Sequence, residues 1–322
     1  MKVAVLRGGR SSEHDVSLRS GEAVAHGLEQ AGHEALLVTI ARDGGWSFRG
    51  APVELLPAAG LFGAGAAFPA LHGPFGEDGS VQGVLEWLDL PYVGSDVLAS
   101  AICMDKLTLK RLFAQHGLPQ VAFVAAGEQG WRERCEEIGP PLWVKPSRLG
   151  SSVGISRVES LGEELDRAVE LALRHDPRVI VEASAQGREV EVSLLGNEAV
   201  EVSPAGEVVA HGEWYDYETK YSEGGMELIA PAPLDEDQAA SLRSLAIDCF
   251  HHAGCSGLAR CDFFVEPDGQ ILVNELNTMP GFTQTSVYAK LWQAAGLAYP
   301  DLCDRLINLA IERHTKARAH EF

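Results

Sequence analysis

Glu275 and Asn277 stand two positions apart in the stretch "VNELNTMPG", after an apolar run and before a Pro-Gly turn. Side chains two apart on a strand share a face and can converge on one point. Two converging oxygen donors suit a hard cation. Taken alone, the stretch reads first as an Asx-type turn at an exposed strand end. A second pair at the same spacing, Arg260 and Asp262, lies in "LARCDFFVE", and the turn "PDG" separates the two runs. That arrangement predicts a hairpin with Arg260, Asp262, Glu275 and Asn277 on one face. Four such groups are costly to bury without a purpose, because an unpaired charge loses its solvation. An ion pair between Arg260 and Glu275 would satisfy the cost structurally. Alternatively, Asp262, Glu275 and Asn277 hold Mg²⁺ on a nucleotide, since that ion prefers carboxylate, amide and phosphate oxygens.

A phosphate site is within reach of this idea. "KPSRLGSSVGISRV" sets Lys145 at a strand end and continues through Gly150, Ser151, Ser152 and Gly154. A loop of small residues exposes backbone N–H groups that can wrap phosphate oxygens, though a flexible hairpin has the same composition. The stretch is not a P-loop, for it lacks GK[ST] and runs into a strand. "EWYDYETKYSEGG" collects Tyr215, Tyr217, Lys220 and Tyr221 and reads as a lid or as a surface loop with aromatic anchors. "GGRSSEHDVS" brings Glu13 after the first strand, where an α/β sheet binds ligands. It has no GxGxxG, which disfavours a nicotinamide oxidoreductase. "LHGPFGEDGSVQG" offers His72, suited to a ligand or to a capping or packing role, followed by Glu77 and Asp78.

The elements that must position these groups fall into three units. Residues 1–96 alternate β-rich runs with helical patterns, as an open α/β sheet requires. Residues 97–183 begin with one long helix, "LASAICMDKLTLKRLFAQHG", stopped by Gly117 and Pro119. A mixed or antiparallel sheet with one further helix follows it. Residues 184–322 hold more strands with helices at 235–253 and 299–314. The segment "RDGGWSFRGAPVELLPAAGLFGAGAA" reads as an irregular connection.

Composition narrows the partners. The 322 residues carry a formal net charge of -20, which argues against nucleic acid and anionic membranes. An anionic substrate must therefore be met by local positive charge. Six cysteines without a CxxC pair read as buried thiols of a reducing compartment. Neither a signal-peptide core nor a run of roughly 20 apolar residues is evident, so the expected location is the cytoplasm.

Taken in order, "GGRSSEHDVSL", "LHGPFGEDGSVQG", "MDK", "VKPSRLGSSVGISRV", "YDYETKY", "ARCDFF" and "NELNTMPGFTQTS" closely resemble the D-alanine:D-alanine ligases, ATP-grasp enzymes of cell-wall synthesis. The resemblance spans nearly the whole chain. It implies three α/β and α+β domains, with an N-terminal open sheet and ATP held between the sheets of the central and C-terminal domains. It implies two Mg²⁺, or Mn²⁺, on Asp262, Glu275 and Asn277. Lys106 and Lys145 would contact the α- and β-phosphates, Lys220 the γ-phosphate, and Ser152 would belong to the phosphate loop. Glu182 and the backbone of Ala183 and Ala185 would read adenine, and Glu189 the ribose. Glu13, linked to Ser151 and Tyr221, would hold the ammonium of the first D-alanine, with His72 nearby. Arg260 and the Gly281 backbone would stabilise an oxyanion, and Ser286 would receive the second carboxylate. The reaction implied runs through a D-alanyl phosphate, and the implied assembly is a homodimer. Two positions depart from many relatives: Ala183 stands for a lysine and Leu149 for a polar or acidic residue. Rival readings are a ligase that joins D-alanine to D-lactate or forms another amide, and a nucleotide-binding regulator without catalysis.

Overall fold

The structure, a computed structural model, describes residues 1–56, 60–210 and 226–320. Its first sheet grows around β1 (Lys2–Gly8), whose residues Val3 to Leu6 are wholly buried. A strand covered on both faces reads as a continuous apolar run, as in parallel sheets. β1 pairs in parallel with β2 (Glu34–Ile40) on one side and β5 (Ala66–Pro69) on the other. Helix α1 (His14–Gln30) makes the first crossover. Two short strands, β3 (Trp46–Phe48) and β4 (Ala51–Pro52), extend the sheet antiparallel beyond β2, inside the segment that reads as irregular in sequence. Of the expected strand "PYVGS", the structure keeps a single bridge from Tyr92 to Ala67. The turn after β5 leads to α2 (Ser80–Trp87).

The expected long helix is two. α3 (Val97–Met104) and α4 (Lys106–Gln115) meet at Asp105, which is extended, with φ -93° and ψ 98°. Apolar spacing continues through this point, yet aspartate is a strong N-cap and here acts as one. Its carboxylate accepts from Thr108 N–H at 3.0 Å and from the Ser147 hydroxyl at 2.8 Å, and it pairs with Arg178. Ser147 in turn takes the Lys106 and Leu107 N–H groups at 2.9 and 3.0 Å. The first turn of α4 is thus bonded to the strand end that opens the phosphate loop.

A second, four-stranded antiparallel sheet has the order β6 (Phe123–Ala125), β9 (Val179–Ala183), β7 (Leu142–Pro146), β8 (Ser156–Val158). Helices α5 (Trp131–Ile138) and α6 (Glu163–Leu173) close its core, with Cys135 and Leu165 against Val144 and Val181. α5 has no counterpart in the sequence reading, because it is short and only Cys135 of its residues is buried. The third sheet runs β13 (Met226–Ile229), β12 (Gly206–Ala210), β10 (Arg188–Gly196), β14 (Gly257–Val265), β15 (Ile271–Asn277), with β11 (Val200–Val202) paired to β10. α7 (Glu236–His252), opened by a capping box of Asp235 and Gln238, covers its apolar face together with α3 and α4. α8 (Val287–Ala294), absent from the sequence reading, and α9 (Tyr299–Ala317) return to the first sheet, where Leu302, Cys303 and Leu306 join Val3, Val5 and Phe68. All six cysteines are free and buried, as expected.

Asp105 and Asp96 both cap helices, Asp96 by accepting from Ala99 N–H at 2.9 Å. Asp96→Ala is expected to cost about 1 kcal/mol, a usual cap loss. Asp105→Ala strands a buried hydroxyl and a guanidinium as well, and should cost about 3 kcal/mol. Urea unfolding of both variants checks the difference; equal losses would reduce Asp105 to an ordinary cap.

Candidate active site

The third sheet, loops that follow strands of the first and second sheets, and the N-terminal parts of α1, α4 and α8 line a cavity of about 560 Å³ that includes Glu13, His72, Lys106, Ser151, Arg260 and Glu275. Its floor is the polar face of the third sheet. On β10, Val190, Val192 and Leu194 enter the core, so Glu189 and Glu191 face the cavity side. On β14 the core takes Cys261 and Phe263, which turns Arg260 and Asp262 to the same side. β15 would fail this alternation, because Ile271 and Val273 are core residues and 275 and 277 follow at even steps. A bulge at Asn274 corrects it: Phe263 faces Val273, whereas Asp262 faces Glu275 and Arg260 faces Asn277. One extra residue exchanges the two faces of the strand beyond it.

The hairpin expected from sequence is therefore present, with its four polar groups together. Arg260 donates to Asp262 from Nε at 2.7 Å and Nη2 at 2.6 Å, and Nε lies 2.9 Å from a Glu191 oxygen. Its ion-pair partners are Asp262 and Glu191, in place of the Arg260–Glu275 pair considered in sequence. Burial works against the Arg260 charge, but Asp262 and Glu191 outweigh it and hold the guanidinium well above its ordinary value. Glu191 is itself 2% exposed. The carboxylates of Glu189, Glu191 and Asp262 lie within 4.8 Å of one another. Asn277 Oδ1 accepts from Met279 N–H at 3.0 Å, which is the Asx-type turn, and its second lone pair can still face a cation. The donor set on this face is entirely oxygen, and it fits a magnesium-type ion.

The loop expected to wrap phosphate carries Ser151 and Ser152 in the left-handed region, at φ +52° and +59°. Two consecutive residues of this kind turn the chain sharply and are strained without glycine. Ser151 donates to the Glu13 carboxylate, the link that the resemblance implied. Lys106 donates to the Leu149 carbonyl at 2.8 Å and reaches Glu275 at 3.9 Å, so the unusual Leu149 serves this contact through its backbone. Glu13 is buried, and a side chain at Gly73 would come within 2.6 Å of its carboxylate. His72 meets Ser20 Oγ at 2.8 Å and the Met279 carbonyl at 3.2 Å, a packed position at the cavity edge. Burial holds its imidazole below the usual value, against the pull of Glu13. Glu77 accepts from Gly73 N–H at 2.6 Å. Burial, then Glu13, push its carboxyl well above the carboxylate range.

Also on the cavity lining, a side chain on Gly281 would lie 3.3 Å from Ser286 Oγ, which accepts from Thr283 N–H at 3.0 Å. Lys220 and Tyr221, with Tyr215 and Tyr217, lie outside the described residues.

Against known proteins, the model for the D-ala D-ala ligase C-terminus matches residues 112–308, and that for the N-terminus matches residues 2–60 and 59–95. A D-alanine–D-alanine ligase of Deinococcus radiodurans is 45% identical over 97% of this chain and 98% of its own. The chain belongs to the D-alanine–D-alanine ligase family. A D-alanine–D-alanine ligase of Geobacillus kaustophilus is 42% identical, with 97% of this chain and 95% of that one covered. Among solved structures, the D-alanine-D-alanine ligase from Coxiella burnetii superposes with a TM-score of 0.90 at 34% identity, over 99% of this chain and 96% of that one. VanG D-Ala:D-Ser ligase from Enterococcus faecalis gives 0.86 at 33%, over 96% and 99%. The arrangement of sheets described above is that of the family's ATP-grasp fold.

Within this ligase fold, Glu182 is 2% exposed between Lys110 at 3.0 Å and Lys145 at 2.6 Å. Burial pushes its carboxyl up, but Lys110 and Lys145 together bring it to about 2. Lys145 thus stands beside Glu182, the residue expected to read adenine. The neighbouring Ala183 spends its N–H in the sheet, on the Ala122 carbonyl at 2.8 Å, and the Ala185 carbonyl accepts from the Ser184 hydroxyl at 3.4 Å. Glu189 lies on β10 opposite Phe264. Sequence reasoning did not assign Lys110, Glu191 or a role for Glu77. The rule that singled out Arg260 and Asp262 would also have flagged Glu189 and Glu191, two apart in "REVEVSLLG".

Because the folded carboxyl of Glu182 sits below its ordinary value of 4.5, it contributes stability that is complete above that pH and lost as pH falls toward about 2. Glu182→Gln should flatten the stability-against-pH curve in this window. At neutral pH it leaves the buried Lys110 ammonium and the half-buried Lys145 without their carboxylate and should cost about 3–5 kcal/mol. Chemical denaturation from pH 2 to 7 measures both; an unchanged acid limb would dismiss the pairing.

Proposed function

We propose that this chain joins two D-alanine molecules, using ATP, to give D-alanyl-D-alanine, ADP and phosphate for peptidoglycan precursor synthesis. The observation that carries the reading is the third-sheet face on which the Asn274 bulge gathers Arg260, Asp262, Glu275 and Asn277, opposite Ser151 and Glu13. Full-length family membership supports it, and so does the printed activity of the relatives.

In the proposed sequence the carboxylate of the first D-alanine attacks the γ-phosphorus of ATP and ADP leaves, giving D-alanyl phosphate. The amine of the second, having lost its ammonium proton, then attacks the carbonyl carbon, and phosphate leaves with the electrons of the C–O bond. Glu13 is placed to hold the first ammonium, oriented by Ser151. Arg260 keeps Nη1 without a hydrogen bond among the described residues while Nε and Nη2 are fixed by acids. A donor fixed in this way needs no reorganisation when an oxyanion develops on the tetrahedral centre. Asp262, Glu275 and Asn277 would hold two Mg²⁺, or Mn²⁺, whose charge offsets that of the transferring phosphoryl group.

Lys106, Lys145 and Lys220 are assigned to the phosphates with Ser152. Glu182, Ala183 and Ala185 are assigned to adenine and Glu189 to ribose. Tyr221 is assigned to the first substrate's set with Ser151, Glu13 and His72, and Gly281 and Ser286 are assigned to the second substrate. Domain limits of 1–96, 97–183 and 184–322, a homodimer and a cytoplasmic location complete the reading. No helix among the described residues is long and apolar enough to cross a membrane.

The test is ADP release with D-alanine, D-serine and D-lactate as acceptors in parallel. D-alanine should be preferred and turnover should require a divalent ion. Glu275→Gln should lower kcat by roughly two orders of magnitude or more while the protein stays folded, as expected for a metal carboxylate. Near-normal turnover of this variant at limiting Mg²⁺ would refute the metal assignment, and absence of D-alanyl-D-alanine from the parent would refute the reaction.

A further inference from the structure

We propose that Lys290 determines acceptor specificity: its ammonium meets the carboxylate of the second amino acid at Ser286. The inference rests on the reaction proposed above and goes beyond it by naming the charge that selects an α-carboxylate. A chain of net charge -20 that takes up an anionic group needs a cation reserved for it. Among the described residues, four cations line the cavity: Arg19, Lys106, Arg260 and Lys290. Arg260 is committed to Asp262 and Glu191, and Lys106 to the Leu149 carbonyl with Glu275 nearby.

Lys290 makes no ion pair or side-chain hydrogen bond among the described residues. It stands one turn beyond Ser286 on α8, its N–H bonded to the Ser286 carbonyl at 3.0 Å. Residues four apart share a helix face, so the ammonium and the Ser286 hydroxyl can address one anion. The start of α8 adds to this. Ser286 occupies the N-cap position, yet its side chain does not cap the helix, and its oxygen is turned to Thr283 N–H instead. Uncapped N–H groups at a helix start favour negative charge. A side chain at Gly281 would crowd Ser286 Oγ at 3.3 Å, so the glycine keeps this corner open. Arg19 reaches the cavity from another element, α1, where it precedes Ser20, which is bonded to His72, and it shares no helix face with Ser286.

The experiment measures acceptor KM and kcat for Lys290→Ala, Lys290→Arg and Arg19→Ala, with D-alanine and with D-alaninamide, which lacks the carboxylate. Lys290→Ala should raise KM for D-alanine as acceptor roughly tenfold or more at nearly unchanged kcat, the size expected for a charge-assisted hydrogen bond. It should leave use of D-alaninamide as it was, and Lys290→Arg should recover most of the loss. Raising ionic strength should weaken acceptor binding in the parent and not in Lys290→Ala. If the parent does not use the amide, this salt dependence and the arginine rescue decide the matter. Equal losses with both acceptors, an unchanged acceptor KM, or a loss confined to Arg19→Ala would overturn the assignment. Failure of the parent to make dipeptide at all would instead remove the proposed function, before any variant is compared.

Discussion

The site depends on one unpaired residue. A strand presents alternate residues to alternate faces, and the run from Ile271 to Asn277 would otherwise bury Glu275 and Asn277 with Ile271 and Val273. Asn274 is the residue left out of register, and it shifts the odd positions beyond it from the core to the cavity. Leu276 takes the vacated core position, next to Val273 and Phe263. Hydrophobic burial enforces the arrangement, because a return to regular pairing would drive a carboxylate and an amide into an apolar cluster and expose a leucine. The chemistry of the third sheet is thus held in place by the packing of its opposite face.

Charge is managed in small closed groups. Arg260 binds two acids that would otherwise repel one another, and Glu182 lies between two lysines. Such buried pairs add little net stability over an apolar core, since desolvation offsets most of the attraction. Their consequence is positional: each group is fixed by partners that cannot be removed singly. The acid cluster of Glu13 and Glu77 follows another rule, for burial, and then the nearby Glu13 carboxylate, push the Glu77 carboxyl well above the usual carboxylate range.

Local patterns carried much of this into the sequence. The spacing of Arg260 with Asp262 and of Glu275 with Asn277, with a turn between, was enough to read a polar hairpin. Spacing alone could not reveal the bulge, because "ILVNELN" has no glycine or other mark at Asn274, and register is set by the packing of both faces. The same limit applies to Asp105. Apolar periodicity runs on through "ICMDKLTLK" as if through one helix, and the break comes from bonds to Ser147 and Arg178, which are distant in sequence. Lys110 was silent for a similar reason: a lysine on a helix reads as solvated until its carboxylate partner is found across 72 residues at Glu182.

The break at Asp105 also explains how the second and third sheets are held at a working separation. It starts α4 at Lys106 and fixes its first turn to Ser147, next to the phosphate loop. Lys106 and Lys110, one turn apart on the same side of α4, then reach different sheets: Lys106 extends toward Glu275 on β15, and Lys110 pairs with Glu182 on β9. Four residues of helix advance about 6 Å, so the two carboxylates are held by a rigid rod of fixed length. A helix continuing unbroken from Val97 would keep the direction of α3 and could not meet both acids in this way. The helix break is therefore part of the site, since it supplies the element that spans the cleft between the sheets.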